Sequence, residues 1–307
     1  MANLSSHTVL ELDCFLEMNH LRPLLFLPFC LFFFFSVVPN ILLVFVIVKR
    51  RSLHSLMYFL IAAMAAVDGA LPLLALSPLL LSFLFGWTQI SLTACLLQMF
   101  AVHLLGTFQS TILLWMALDR CLAVVCPLRY NVSFSGRVLL AVGVPLMLRN
   151  LFMITGLVVL AGRLHFCDSV LLNCFCEHMA VVRLACGDTS LNSALGLLTI
   201  GLIPVLDFIL IAASYVVVLA TALSGRVVTK AANTVVTHII VMSLALAVIL
   251  VAFISYRVHH KLPHTARLLF SALYLFLPST TTPLAFGIRT QEIRKQILHL
   301  FRPVFTQ

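Results

Sequence analysis

LLFLPFCLFFFFSVVPNILLVFVIVKRR, residues 24–51, is an apolar run of helix length closed by Lys49, Arg50 and Arg51. About 20 apolar residues in a helix cross a bilayer core. The run is long and continuous, without the short alternation of a barrel strand. Its reading therefore sets the class: a helical membrane protein.

The rest of the chain repeats the pattern. Apolar spans of helix length read at 24–48, 57–85, 94–125, 138–161, 195–223, 234–256 and 266–288. Seven crossings put the two termini on opposite sides. The 307 residues are 62% hydrophobic and only 9% charged, with a mean hydropathy of +1.14. Soluble domains carry about a quarter charged residues, so no water-facing surface can be built here. The net charge of +9 does not point to nucleic acid, because the cations sit in short clusters between apolar runs, as a topology signal does.

Those clusters follow spans one, three, five and seven: Lys49–Arg51; Arg120, Arg129 and Arg137; Arg226 and Lys230; Arg289, Arg294, Lys295 and Arg302. The positive-inside rule places them in the cytosol and the N-terminus outside. Arg257, Lys261 and Arg267 break the rule around the last external connection. Glu11, Asp13 and Glu17 replace the basic start of a cleavable signal, so span one is expected to act as an uncleaved anchor. The expected organisation is an extracellular segment 1–23, a seven-transmembrane domain 24–288, and a cytosolic helix and tail 289–307. In that tail RTQEIRKQILHLF sets Ile293, Ile297 and Leu300 along one face, a short amphipathic helix lying on lipid. The sequon at Asn3 falls outside and is usable for glycosylation; the one at Asn131 falls in the cytosol.

MALDRCLAVVCPLRY, residues 116–130, sets Asp119 beside Arg120 at the inner end of span three. A charge at the bilayer centre costs about 3 kcal/mol or more, and the membrane edge avoids that cost. Cys95 marks the outer end of the same span, about 25 residues and roughly 38 Å away. Cys167, Cys174, Cys176 and Cys186 fall in the second external loop, where an oxidising compartment favours pairing; their spacing leaves the connectivity open. Cys121 and Cys126 face the cytosol and remain thiols, and Cys30 reads as a small apolar residue.

The chain resembles the rhodopsin-like G-protein-coupled receptors and, within them, the olfactory receptors of the fish-like class I branch. MALDRCLAVVCPLRY is similar to MAxDRYVAICxPLRY. Residues 53–58, LHSLMY, resemble LHxPMY, and KAANTVVTHI (230–239) resembles KAxxTCxSHL. Ser214-Tyr215 matches the family's SY. QISLTACLLQMFAVH (89–103) and HFCDSVLLNCFCEHMAVVRLACGD (165–188) resemble the class I branch.

The resemblance implies a receptor that binds a small odorant from outside and activates a stimulatory, olfactory-type heterotrimeric G protein to raise cyclic AMP. Asp119 then holds Arg120 until the G protein engages it. It also implies bridges Cys95–Cys176 and Cys167–Cys186, leaving Cys174 spare. Several positions depart from the family: Cys121 for Tyr, Pro39-Asn40 for GN, and Gln109 for an acid. PSTTTPLAF (278–286) stands for PxxNPIIY, and Ala245–Val248 for FYxP. Asp68 lies where the family binds sodium; with Gln109 and Thr282 as neighbours its surroundings are poor in ligands for that ion. A weakly signalling receptor, or a non-olfactory metabolite receptor, would share most of these motifs.

Ionisable groups within the membrane are functional candidates. His103 lies about two turns below Cys95, and His178 stands two residues past Cys176. Arg257, at the outer end of span six, offers a fork for a carboxylate, the ligand class associated with the branch. Asp207 in span five completes the candidate set, with Arg149 in span four as its prospective counter-ion. No zinc-protease, nucleophile-elbow or phosphate-loop motif is present, so neither enzyme activity nor a cofactor is expected. A transporter would want a polar path across several spans, whereas polar residues here gather at the two faces.

Overall fold

A computed structural model describes residues 8–14, 22–126, 136–221, 239, 243–244, 246–255, 257, 262–288 and 290–301. The sequons at Asn3 and Asn131, the segment Pro127–Tyr130, most of KAANTVVTHI, Ala245, Arg226, Lys261, Arg289 and Arg302 lie outside these residues.

The chain begins with β1 (Val9–Leu12) and then α1 (Arg22–Lys49), a 3-10 turn at Arg51–Leu53, α2 (Leu56–Phe85), β2 (Gln89–Ser91), α3 (Leu92–Val125) and α4 (Gly136–Gly162). The second external loop holds β3 (Val170–Leu171) and the short α5 (His178–Val182). Helix α6 (Ser190–Thr221) follows, then α7, described over Leu246–Ser255, α8 (His264–Pro283) and α9 (Gln291–Phe301). Among the described residues six helices are long and apolar enough to cross a membrane, and α7 is a shorter apolar one. With α9 this is an all-α, seven-helix membrane bundle carrying a C-terminal amphipathic helix.

The bundle is packed inside-out relative to a soluble domain. Phe152 is 78% exposed, and Phe35, Val48 and Val216 are also largely exposed, as lipid-facing side chains are. The interior holds Asn40, Asp68, Thr111, Asn150 and Asp207 with no exposure at all. Helix α3 is the central element and touches α2, α4 and α6. Its N-terminus is capped by Ser91, whose hydroxyl accepts from Ala94 N at 3.2 Å. Gly86 ends α2 in a left-handed conformation at φ 68° that returns its N–H to Ser82 O, a geometry glycine takes without a Cβ penalty.

Prolines shape two spans. Pro204 has no N–H to give Ile200 O, and Gly201–Val205 opens into a π turn. In α8, Pro283 likewise leaves Ser279 O without its helical donor, and Asn40 Nδ2 of α1 donates to that oxygen at 2.8 Å. On α9, Ile293 is fully buried while Arg294 and Lys295 are exposed.

Outside the bundle a small sheet orders β2-β1-β3. Strand β1 runs antiparallel to β2, with Leu10 opposite Ile90, and parallel to β3, with Leu12 opposite Leu171. Its alternation turns Leu10 and Leu12 inward and Val9 and Glu11 outward. Three disulfides staple this end: Cys95–Cys176, Cys167–Cys186 and Cys14–Cys174. The third corrects the expectation that Cys174 is spare. The sheet carries β1 to the loop and brings the Cys14 and Cys174 Cα atoms within 4.6 Å, inside bridging range.

Candidate functional site

Beneath the second external loop lies a cavity of about 110 Å³. Helix α3 contributes His103, Gly106 and Thr107; α6 contributes Thr199, Ile200 and Pro204; α7 contributes Ile249, Ala252 and Phe253; α8 contributes Ser271 and Tyr274. Phe175 and Glu177 reach in from the loop, and Ile154 from α4. The lining is mostly apolar with a few polar groups, the usual make-up of a small-molecule site. Gly106 leaves the room that Tyr274 takes: a Cβ there would lie 2.6 Å from Tyr274 Oη, so one of the two would have to shift.

His103 is fixed by its backbone. Its Nδ1 lies 2.8 Å from Met99 O, and a nitrogen facing a carbonyl must carry the proton. In the neutral ring Nε2 is then an acceptor. Glu177 caps α5, its carboxylate accepting from Ala180 N at 2.8 Å. Burial raises its affinity for a proton, against the pull of the Ala180 and Met179 N–H groups and of Arg183 and Arg257.

His178 and Arg257 meet over Gly196 of α6. A Cβ at that glycine would stand 3.0 Å from Arg257 Nη2 and 3.3 Å from His178 Nδ1. The Arg257 guanidinium donates to Ser193 Oγ at 2.6 Å and to Ser193 O at 2.9 Å. It also stacks on Phe253, 4.5 Å from the ring centroid. Among the described residues, its Nε and His178 Nε2 are buried without a hydrogen-bond partner. His178 is pushed down to about 3 by burial first, then by His103 and Arg257.

The residues singled out in the sequence thus separate into groups. His103 lines the cavity, while His178 and Arg257 stand together beside its roof, linked to it through Phe253 and Glu177. Asp207 does not line the cavity. It is fully buried and paired to Arg149 at 3.0 Å. It also accepts from Ser110 at 2.9 Å and Thr111 at 3.4 Å. Arg149 additionally donates to Leu202 O at 3.1 Å, inside the π turn. Asn150 Nδ2 donates to Thr111 Oγ1, which binds α4 to α3. Asp68 accepts from Gln109 at 2.6 Å, and no cluster of three or more His, Cys, Asp or Glu suited to a metal occurs among the described residues.

At the other end of α3, Asp119 is 2% exposed and Arg120 is half-buried. Phe175, Glu177, Gly106 and Tyr274 were not legible as site residues. Only their position behind the bridged cysteines, or opposite His103, brings them to the cavity.

A family model described as olfactory receptor matches residues 29–303. Human olfactory receptor 52K1 is 34% identical over 289 residues, covering 93% of this chain and 92% of the relative. Human olfactory receptor 52K2 is 35% identical over 289 residues, 92% of each. Human olfactory receptor 52P1 is 34% identical over 291 residues, covering 94% and 90%.

Proposed function

The chain belongs to the olfactory receptor family, and we propose that it senses a small carboxylic acid and raises cyclic AMP through a stimulatory, olfactory-type G protein. It is a multi-pass receptor of the plasma membrane for small-molecule odorants, coupled to a G protein, and not an enzyme. In the proposed arrangement residues 1–23 are extracellular, 24–288 form the receptor domain, and 289–307 face the cytosol. The basic clusters after spans one, three, five and seven support that orientation.

One observation carries the reading. Helix α3 lines the cavity with His103 and bears Asp119 and Arg120 16 and 17 positions after it, about 25 Å along the axis. A ligand that shifts α3 against α6 or α7 moves both ends of one rigid element. A carboxylate finds in Arg257 Nε an N–H donor with no hydrogen-bond partner among the described residues, and the imidazole of His178 stands beside the same guanidinium. Asp207 serves the ligand indirectly, holding α3, α4 and α6 together below it. Asp119 retains Arg120 until the G protein offers it a partner.

The test is a cyclic AMP assay with parallel surface labelling, in cells holding the stimulatory G protein, across carboxylic acids, alcohols and aldehydes. A response to short-chain acids is expected, lost in Arg120→Ala and in Arg257→Ala with surface labelling intact. An unchanged dose–response in Arg257→Ala would sink the acid site. Silence of the parent receptor at full surface density would sink the coupling.

A further inference from the structure

The roof of the cavity is built around one side chain. Phe175 lines the cavity and is 1% exposed. It belongs to the same buried cluster as Leu79, Val102 and Leu275. The residues on either side of it are both disulfide-bonded: Cys174 to Cys14 of the amino-terminal segment, and Cys176 to Cys95 of α3. The backbone is fixed as well. Cys174 N donates to Asn173 Oδ1 at 2.8 Å, and Cys176 N to Gln98 Oε1 at 2.9 Å. Gln98 Nε2 passes the restraint on to Leu74 O of α2. Glu177 N closes a tight turn on Phe175 O at 2.9 Å.

The bridge on the amino-terminal side ends on an anchored segment. Cys14 follows β1, whose backbone bonds reach both flanks: Glu11 N to Ser169 O, Leu12 N to Thr88 O, and Asp13 N to Leu171 O. Leu10 and Leu12 fill the core beneath the sheet. Phe175 is therefore held from two directions, by a strand on one side and a membrane helix on the other. With its backbone so held and its ring packed in the buried cluster, Phe175 makes room for a larger ligand only at the cost of that packing.

We propose that Phe175 sets the depth and access of the odorant cavity, and that the Cys14–Cys174 bridge, acting as a positioning element through Phe175, makes the amino-terminal strand part of the receptor's ligand selectivity. The inference rests on the cavity being the ligand site, as argued above. It predicts a receptor that accepts short ligands and excludes homologues that need the volume of the phenyl ring.

The decisive measurement needs no agonist. Ser271 lines the cavity from α8 and is 2% exposed, so Ser271→Cys serves as a reporter. Its modification by a membrane-impermeant methanethiosulfonate reagent is followed on intact cells, with the parent receptor subtracted for Cys30, Cys121 and Cys126. Adding Phe175→Ala, or Cys14→Ser with Cys174→Ser, is expected to speed labelling by about tenfold or more, because access tracks the open population of the roof. Combining all three is expected to add little, since both act on one element. An unchanged rate after removal of the bridge, or rates that simply multiply, would overturn the proposal. Should the paired serine variant fail to reach the surface, Phe175→Leu keeps the bridge and decides alone: an unchanged rate refutes. A second readout is the potency profile over straight-chain acids of increasing length, whose optimum should move to longer acids in Phe175→Ala. Silence of the parent across that series would count against the acid reading and leave the labelling result standing.

Discussion

Asn40 of α1 fills a vacancy that Pro283 creates in α8, its amide nitrogen 2.8 Å from the carbonyl of Ser279. The same nitrogen also donates to Ser36 O at 2.6 Å, so one side chain serves two helices. Asn40→Ala is expected to cost about 1–3 kcal/mol, the toll of a buried acceptor left unpaired. Thermal unfolding of detergent-solubilised receptor checks it. A variant as stable as the parent would remove this contact from the account of how α1 joins α8.

The Arg149–Asp207 pair calls for a graded comparison. Removing Arg149 alone leaves a fully buried carboxylate with Ser110 and Thr111 as its hydrogen-bond partners among the described residues, and such a loss costs about 3–5 kcal/mol. Arg149→Met together with Asp207→Asn removes both charges and should retain more surface receptor than Arg149→Met by itself. Flow cytometry of labelled receptor distinguishes them. Equal losses would mean that the charge of Asp207 is not what the pairing neutralises.

Gly106→Ala drives a methyl toward the Tyr274 hydroxyl, 2.6 Å from where the Cβ would sit. Overpacking of this sort costs about 1–3 kcal/mol, and an agonist's potency should fall about tenfold. Adding Tyr274→Phe deletes the clashing oxygen and leaves the Cζ at 3.9 Å, an ordinary contact. Dose–response curves of the double variant should return toward the parent. Failure to recover would show that the backbone at Gly106, and not its space, is what the cavity needs.

Acid should loosen the extracellular cap. His178 stays neutral in the folded protein down to about 3, against an ordinary 6.5. Below 6.5 the unfolded chain takes up a proton that the folded one refuses, so stability is lost progressively as pH falls from 6.5 toward 3, by at most about 1.4 kcal/mol per pH unit. Glu177 has the opposite sign. Its raised value contributes stability that is present below its ordinary 4.5 and lost as pH rises through the folded value. Hydrogen exchange over residues 174–184, near neutrality and at about pH 5, should show protection falling in the parent. His178→Asn should show less of that fall, and identical profiles would exclude His178 as the cause.

How far the sequence reaches depends on the range of each interaction. Hydropathy is summed over about 20 residues, and the expected span 57–85 meets Leu56–Phe85 in the structure. Helix α6 instead begins at Ser190, ahead of the expected 195, because Ser190, Asn192 and Ser193 lower the hydropathy while the helix continues past the apolar zone. The Cys14 bridge lay beyond local reading: its partner is 160 positions away and β1 is only four residues long. A signal was present, since counting Cys14 makes the outer cysteines an even six, namely 14, 95, 167, 174, 176 and 186. The meeting of His178 and Arg257 depends on Gly196 having no side chain, a requirement that spacing cannot reveal.

The placement of Cys14 also dictates an order of manufacture. A ribosome completes that cysteine 160 residues before its partner, and α1 to α4 are all made in the interval. Throughout that time the thiol must be kept from the wrong mate, because of the other cysteines at the outer face Cys95 emerges first and Cys167 next. The front of the chain therefore stays provisional until the second loop arrives, and the last strand of the small sheet is laid only then. Quality control that inspects this end for an unpaired thiol would in effect be checking that more than half of the receptor has been threaded correctly.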